Sequence, residues 1–272
     1  MAGTNTMALS KKITLTSLKK LKAEKEKMTC LALYDAPMAN LAQNNGVELI
    51  LVGDSLGMTV QGHDSTLPVT VDHMVYHTHG VARGNQQSLI ISDMPFMSYA
   101  TPEQAMANAA LLMQAGAHMV KVEGGEWLAE TVNKLTNRGI PVCAHLGLTP
   151  QSVNKLGGYR VQGREQEQAD NIIHDAKMLA AAGADCLVLE CVPSSLSKKI
   201  TDQVDIMTIG IGAGADTDGQ VLVINDLLGI TPTPPKFSKN FLNESNSIGE
   251  AISTYVKSVK SADFPLPEHG FE

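Results

Sequence analysis

The sequence predicts an α/β fold, a (β/α)8 TIM barrel, on three observations. Short runs rich in Val, Ile and Leu recur eight times with helix-forming stretches between them, the pattern of buried parallel strands. The phrase Ala-Gly-Ala precedes such a run twice, at 115–117 and 182–184, as one repeated helix-to-strand joint. Four of the runs end in an acidic residue: Asp54, Asp93, Glu123 and Glu190. Parallel α/β folds gather functional groups at the carboxyl ends of their strands. A doubly wound open sheet is the runner-up architecture.

In chain order, the strands are expected near 29–34, 47–52, 88–93, 118–122, 140–145, 185–190, 206–211 and 221–225. Before the first, Leu15, Leu18 and Leu21 share one helix face among lysines. This amphipathic helix is suited to plug the amino end of the barrel, with the lysines as its solvated side. Thr70 is a candidate N-cap, and Thr101-Pro102-Glu103-Gln104 offers an N-cap, Pro at the first helical position and a capping-box Gln. Gly116 and Gly183 are placed to stop helices. Two connections, 54–69 and 146–163, are long, polar and Gly-rich, as functional lids often are. The Thr-Pro-Thr-Pro-Pro stretch at 231–235 excludes regular structure. A helical stretch over 248–259 follows, with an irregular end. Residues 1–12 are expected to be a disordered leader, with Met7 an alternative start, and residues 13–272 one barrel domain with a helical tail.

The 272 residues are 43% hydrophobic and 18% charged, an ordinary globular composition. The formal net charge of −7 gives no electrostatic attraction to nucleic acid or an anionic membrane. No apolar stretch spans a bilayer, and Met1 to Ser10 lack the apolar centre of a signal peptide. Cys30, Cys143, Cys186 and Cys191 form no C-x-x-C pair. Three of them lie in or beside apolar runs, which fits reduced core thiols in a cytoplasmic protein.

The strand-end acids offer an all-oxygen donor set, which suits a hard cation such as Mg²⁺ better than zinc. Lys121 stands within an apolar strand, where its charge requires a partner. Glu123, two residues on, projects from the same side, and a substrate-facing ammonium is an equal alternative. His145 closes its strand and points into the mouth. His73, His77 and His79 have spacing that resembles a metal motif but no acids nearby, and they are expected to be exposed helix residues. The glycines of 210–214 lack the third spacing of a dinucleotide fingerprint and read as a tight strand-to-helix turn.

Several segments carry a wider resemblance. They are Gly53-Asp54-Ser55-Leu56-Gly57-Met58, Gly62-His63-Asp64-Ser65-Thr66-Leu67-Pro68-Val69, Asp93-Met94-Pro95-Phe96, Lys121-Val122-Glu123-Gly124-Gly125, His145-Leu146-Gly147-Leu148-Thr149-Pro150-Gln151 and Glu190-Cys191-Val192-Pro193. With 210–214 and Pro235-Lys236-Phe237, they resemble the ketopantoate hydroxymethyltransferase family over about 14–264. One departure is Met207, where the family usually has Pro after the Ile.

The resemblance implies a barrel of the phosphoenolpyruvate/pyruvate type, Mg²⁺, 3-methyl-2-oxobutanoate as substrate and 5,10-methylenetetrahydrofolate as one-carbon donor. The product would be 2-dehydropantoate, at the start of pantothenate synthesis, and the assembly a homodecamer built as a pentamer of dimers. By the same match, Asp54 and Asp93 ligate the metal directly, and Glu123 is the third metal-site acid, directly or through water. Asp54, Ser55, Asp93, Lys121 and His145 contact the substrate. Glu190 is the general base, since it lies on a strand apart from the metal acids. Two alternatives compete. A Schiff-base aldolase would use Lys121 as nucleophile and be trapped by borohydride. A non-enzymatic metal-binding barrel would exchange no substrate proton.

Overall fold

The eight apolar runs close on themselves in a computed structural model that describes residues 8–9 and 11–272. The expected leader lies for the most part outside the described residues, and Met7 lies wholly outside them. The strands are β1 (Met28–Ala32), β2 (Leu49–Val52), β3 (Leu89–Asp93), β4 (Met119–Glu123), β5 (Val142–Gly147), β6 (Cys186–Glu190), β7 (Met207–Ile211) and β8 (Gly219–Val223). All neighbours are parallel, and β8 returns to β1 with Met28 opposite Gly219. The expected strand bounds are off by one to two residues, as usual where sequence alone sets the ends.

Alternation along each strand divides two cores. Met28, Cys30, Leu49, Leu51, Leu89, Ile91, Met119, Cys143, Cys186, Val188, Met207 and Ile209 fill the barrel interior. Their neighbours Leu31, Ile50, Ile90, Val120, Val142, Leu187 and Leu222 pack under the helices. Both sets are buried, which explains continuous apolar runs in place of a polar alternation. The two Ala-Gly-Ala joints are alike: the N–H groups of Ala117 and Ala184 donate back to Leu112 and Leu179, each at 3.1 Å. Gly116 and Gly183 hold φ of +110° and +104°, which a side chain would disfavour.

The helix Leu15–Ala23 closes the amino end, with Leu18 buried among residues that open the strands. The lysines are not all solvated. Lys22 donates to Ile206 O and Asp218 Oδ2, both at 2.8 Å, and Lys27 donates to Ala215 O at 2.8 Å. The carbonyls before β7 and in its return segment need donors, and the two ammonium groups reach them. At the other capping site, Gln104 Oε1 accepts from Ala100 N–H at 3.0 Å. It reaches one residue past the cap and so forms no capping box at Thr101.

The glycine-rich segment after β7 leads to no helix; it returns to β8 within residues 212–218. The return lies against β7 so closely that a Cβ on Gly210 would meet Thr217 Oγ1 at 2.7 Å. Gln220 donates to Gly214 O and Thr217 Oγ1, both at 2.9 Å, and so satisfies the segment without a helix. The helix Ile248–Lys260 covers the β8–β1 seam, where Tyr255 donates its hydroxyl toward Cys30 O at 3.0 Å and Gln220 O at 2.9 Å. The chain end folds over the mouth, and Ser194 N–H donates to Phe271 O at 2.9 Å. No described helix is long and apolar enough to cross a membrane.

Candidate active site

The period-2 rule decides which strand-end groups enter the barrel. Asp93 continues the inward series Leu89, Ile91. Lys121 and Glu123 continue Met119, His145 continues Cys143, and Glu190 continues Cys186, Val188. Pairing then brings them side by side: Asp93 opposite Lys121, and Glu123 opposite His145. Asp54 lies just beyond β2, where its own N–H donates to Asp93 Oδ2 at 3.1 Å.

Asp54, Asp93 and Glu123 are buried, and each offers an oxygen within 4.8 Å of the others. Lys121 Nζ stands 3.0 Å from Asp93 Oδ1 and 3.3 Å from Glu123 Oε1. His145 lies between two acids, with Nδ1 3.1 Å from Glu123 Oε1 and Nε2 3.3 Å from Glu190 Oε2. The second contact is too poorly aligned to count as a hydrogen bond. Ser55 Oγ is 2.8 Å from the Tyr34 hydroxyl. Every predicted site residue therefore lines one cavity: Asp54, Ser55, Asp93, Lys121, Glu123, His145 and Glu190.

The electrostatics follow from burial and crowding. Burial first, then the charges of Asp93 and Glu123, push Asp54 well above the usual carboxylate range. Burial also raises Asp93, against the pull of Lys121. Burial would raise Glu123 too, but Lys121 and His145 outweigh it and hold the carboxyl at about 2. His145 is disfavoured as a cation by burial and by Lys121, yet Glu123 and Glu190 hold it up to about 9. Lys121, despite its burial, is held well above its ordinary value by Asp93, Glu123 and Asp54. It is thereby kept protonated, which argues against an imine-forming nucleophile.

This donor set fits a divalent cation. It is all oxygen, its two aspartates are crowded into unfavourable charge, and buried Asp93 Oδ1 faces only the Lys121 ammonium at 3.0 Å, outside hydrogen-bond alignment. Glu123 is more fully engaged, since His145 and Lys121 face Oε1 and the Gln151 N–H donates to Oε2 at 3.0 Å.

Two residues of this site escape sequence reasoning. Gln151 donates its amide to Asp54 Oδ2 at 2.8 Å and to Met94 O at 2.9 Å. Tyr99 donates to Gln151 Oε1 at 2.5 Å. The long loop that carries Gln151 was the available signal; Tyr99 carried none. The helix histidines sit apart from the acids and are less exposed than expected. His77 Nδ1 is 2.8 Å from Tyr34 O, and His73 completes the capping box of Thr70. Of the three, only His79 is exposed.

The sequence profile of the ketopantoate hydroxymethyltransferase family matches residues 12–267. A 3-methyl-2-oxobutanoate hydroxymethyltransferase of Saccharophagus degradans is 63% identical over 263 residues, covering 97% of each chain. One of Marinomonas sp. is 60% identical over 265 residues, covering 97% of this chain and 96% of its own. Among solved structures, the phosphoenolpyruvate phosphomutase of Streptomyces platensis subsp. rosaceus superposes with a TM-score of 0.61 at 14% identity, over 92% of this chain and 96% of that one. A phosphonopyruvate hydrolase crystallised with oxalate and Mg++ gives 0.61 at 13% identity, over 80% and 84%. At these identities the structural likeness concerns the barrel.

Proposed function

The chain belongs to the ketopantoate hydroxymethyltransferase family, and we propose that it transfers a hydroxymethyl group from 5,10-methylenetetrahydrofolate to 3-methyl-2-oxobutanoate, giving 2-dehydropantoate for pantothenate synthesis. The observation that carries this reading is the division of carboxylates at the mouth. Asp54, Asp93 and Glu123 cluster on one side, while Glu190 stands apart behind His145.

Asp54 and Asp93 would hold Mg²⁺, with Glu123 as the third acid. The bound ion would act as a Lewis acid toward a 2-oxo acid and stabilise negative charge on its keto oxygen. Ser55 takes the substrate carboxylate, its hydroxyl oriented by Tyr34. Lys121 adds fixed positive charge where the enolate oxygen develops. Glu190 accepts the proton from C3, and His145, its Nε2 3.3 Å from Glu190 Oε2 but not hydrogen-bonded to it, donates to the substrate. Proton loss leaves C3 nucleophilic toward the one-carbon unit. A homodecameric assembly and a cytoplasmic location belong to the same reading, the first open to light scattering.

The deciding experiment follows C3 of 3-methyl-2-oxobutanoate in D₂O without folate. Deuterium should enter in a Mg²⁺-dependent way, and a protein that binds the acid but exchanges nothing would refute the proton abstraction.

A further inference from the structure

The cavity at the mouth has a volume of about 910 Å³, near the upper end of the ~300–1,000 Å³ usual for small-molecule sites. A branched five-carbon keto acid fills only a part of it. The outer rim exposes apolar groups that such an acid would leave wet: Met58 (38% exposed), Tyr159 (50%) and Ile230 (61%). Tyr159 is tied to Met58 by a hydroxyl-to-Sδ contact of 3.3 Å.

Asp226 lines the same cavity and has no part in the chemistry described above. It is only 6% exposed. Its Oδ1 accepts the Thr231 hydroxyl at 2.5 Å, and burial raises its carboxyl with no cation to offset it. A buried carboxylate without a basic partner needs further donors. Asp226 follows β8, Tyr34 follows β1 and Ser55 follows β2, which are successive staves of the barrel. Its charge is felt at the Tyr34 hydroxyl, which in turn contacts Ser55.

We propose that Asp226 anchors the one-carbon donor by accepting the paired N–H groups on the pyrimidine edge of its pterin ring. The inference rests on the reaction proposed above. A pterin presents two parallel donors, N3–H and the 2-amino group, which match the two oxygens of a carboxylate. Its flat ring would cover the apolar rim. From Asp226 the ring extends across the Tyr34 side of the mouth toward the keto acid at Ser55.

The test uses tetrahydrofolate as probe and Asp226→Asn, which keeps the shape and replaces an acceptor by a donor. Calorimetry should show tetrahydrofolate bound at least tenfold more weakly, and the KM for 5,10-methylenetetrahydrofolate should rise accordingly. Folate-free deuterium exchange at C3 reports that the inner site is still assembled. Ile230→Ser, an exposed change, should weaken the same binding without touching Asp226. Tetrahydrofolate affinity within twofold of wild type in Asp226→Asn overturns the assignment. A wild-type protein that binds tetrahydrofolate but fails to exchange C3 overturns the proposed reaction instead.

Discussion

Gln151 and Asp54 are joined by a hydrogen bond of 2.8 Å from the side-chain amide to Oδ2. The Gln151 backbone also donates to Glu123 at 3.0 Å. One residue of the loop after β5 thus fixes two acids that arrive from β2 and β4. Groups behind metal ligands set their direction and are worth about 10–100-fold in affinity.

Gln151→Leu should therefore weaken Mg²⁺ binding in the presence of 3-methyl-2-oxobutanoate by about tenfold or more, measured by calorimetry. Tyr99 would lose its shorter hydrogen bond and keep only Glu123 O at 3.2 Å as acceptor. Trp127, the one tryptophan of the chain, stacks on Tyr99 at 6.4 Å, so its fluorescence should change. An unaltered metal affinity would reduce Gln151 to loop packing.

Asp93→Ala removes an acid whose Oδ1 meets only the Lys121 ammonium and whose Oδ2 accepts from the Asp54 backbone. Substrate-dependent Mg²⁺ binding and activity should both vanish. Lys121 would also lose its contact at 3.0 Å. If calorimetry returns the wild-type Mg²⁺ affinity, Asp93 leaves the ligand set.

The eight strands were legible because burial on both faces makes short β-branched runs unlike their surroundings. The inward acids were legible for a related reason: Asp93, Lys121, Glu123 and His145 extend an alternation already set by Leu89, Met119 and Cys143. The missing seventh helix was not, because Gly210 looks the same whether a helix or a bare return segment passes over it. The Lys22 and Lys27 contacts were hidden too, since their acceptors lie some 180 residues away. Gln151 belongs to the same class: its amide matters only because Asp54, Met94 and Tyr99 converge on it across three loops.

The metal-free protein should lose stability as pH rises from neutral. His145, at about 9 in the fold, lies above its unfolded value of about 6.5. Its contribution is complete below about 6.5 and is lost as pH rises through about 9. Asp54 and Asp93 are raised also, so they act in the same direction. Chelator-treated protein should show a Tm that declines from pH 7 to 9.5. His145→Gln should flatten the upper part of that decline, and Mg²⁺ with the keto acid should oppose it. A Tm that climbs over this range contradicts the charge assignment.

Lys260 reaches from the last long helix to Glu48, a buried acid whose other oxygen accepts from Thr29 N–H at 2.9 Å. Lys260→Met leaves that acid without its cation and should cost about 2–4 kcal/mol by urea unfolding. Loss below ~0.5 kcal/mol would mean that Thr29 alone satisfies Glu48.

Glu190→Gln is nearly isosteric and removes only the basic oxygen. Glu190 ends β6 opposite Gly147, with Oε2 3.3 Å from His145 Nε2, and the amide can keep that contact through its own oxygen. Fold, Mg²⁺ binding and keto acid binding should therefore survive. The rate of C3 deuterium exchange should fall by about 10²–10⁴-fold, the range for a general base. The same loss should appear in kcat with little change in KM, because the missing interaction belongs to the transition state. The exchange assay isolates proton removal from the folate step, so a weak donor site cannot mimic the result. A mutant that exchanges at the wild-type rate would acquit Glu190, and His145, held between Glu123 and Glu190, would be the next residue to replace.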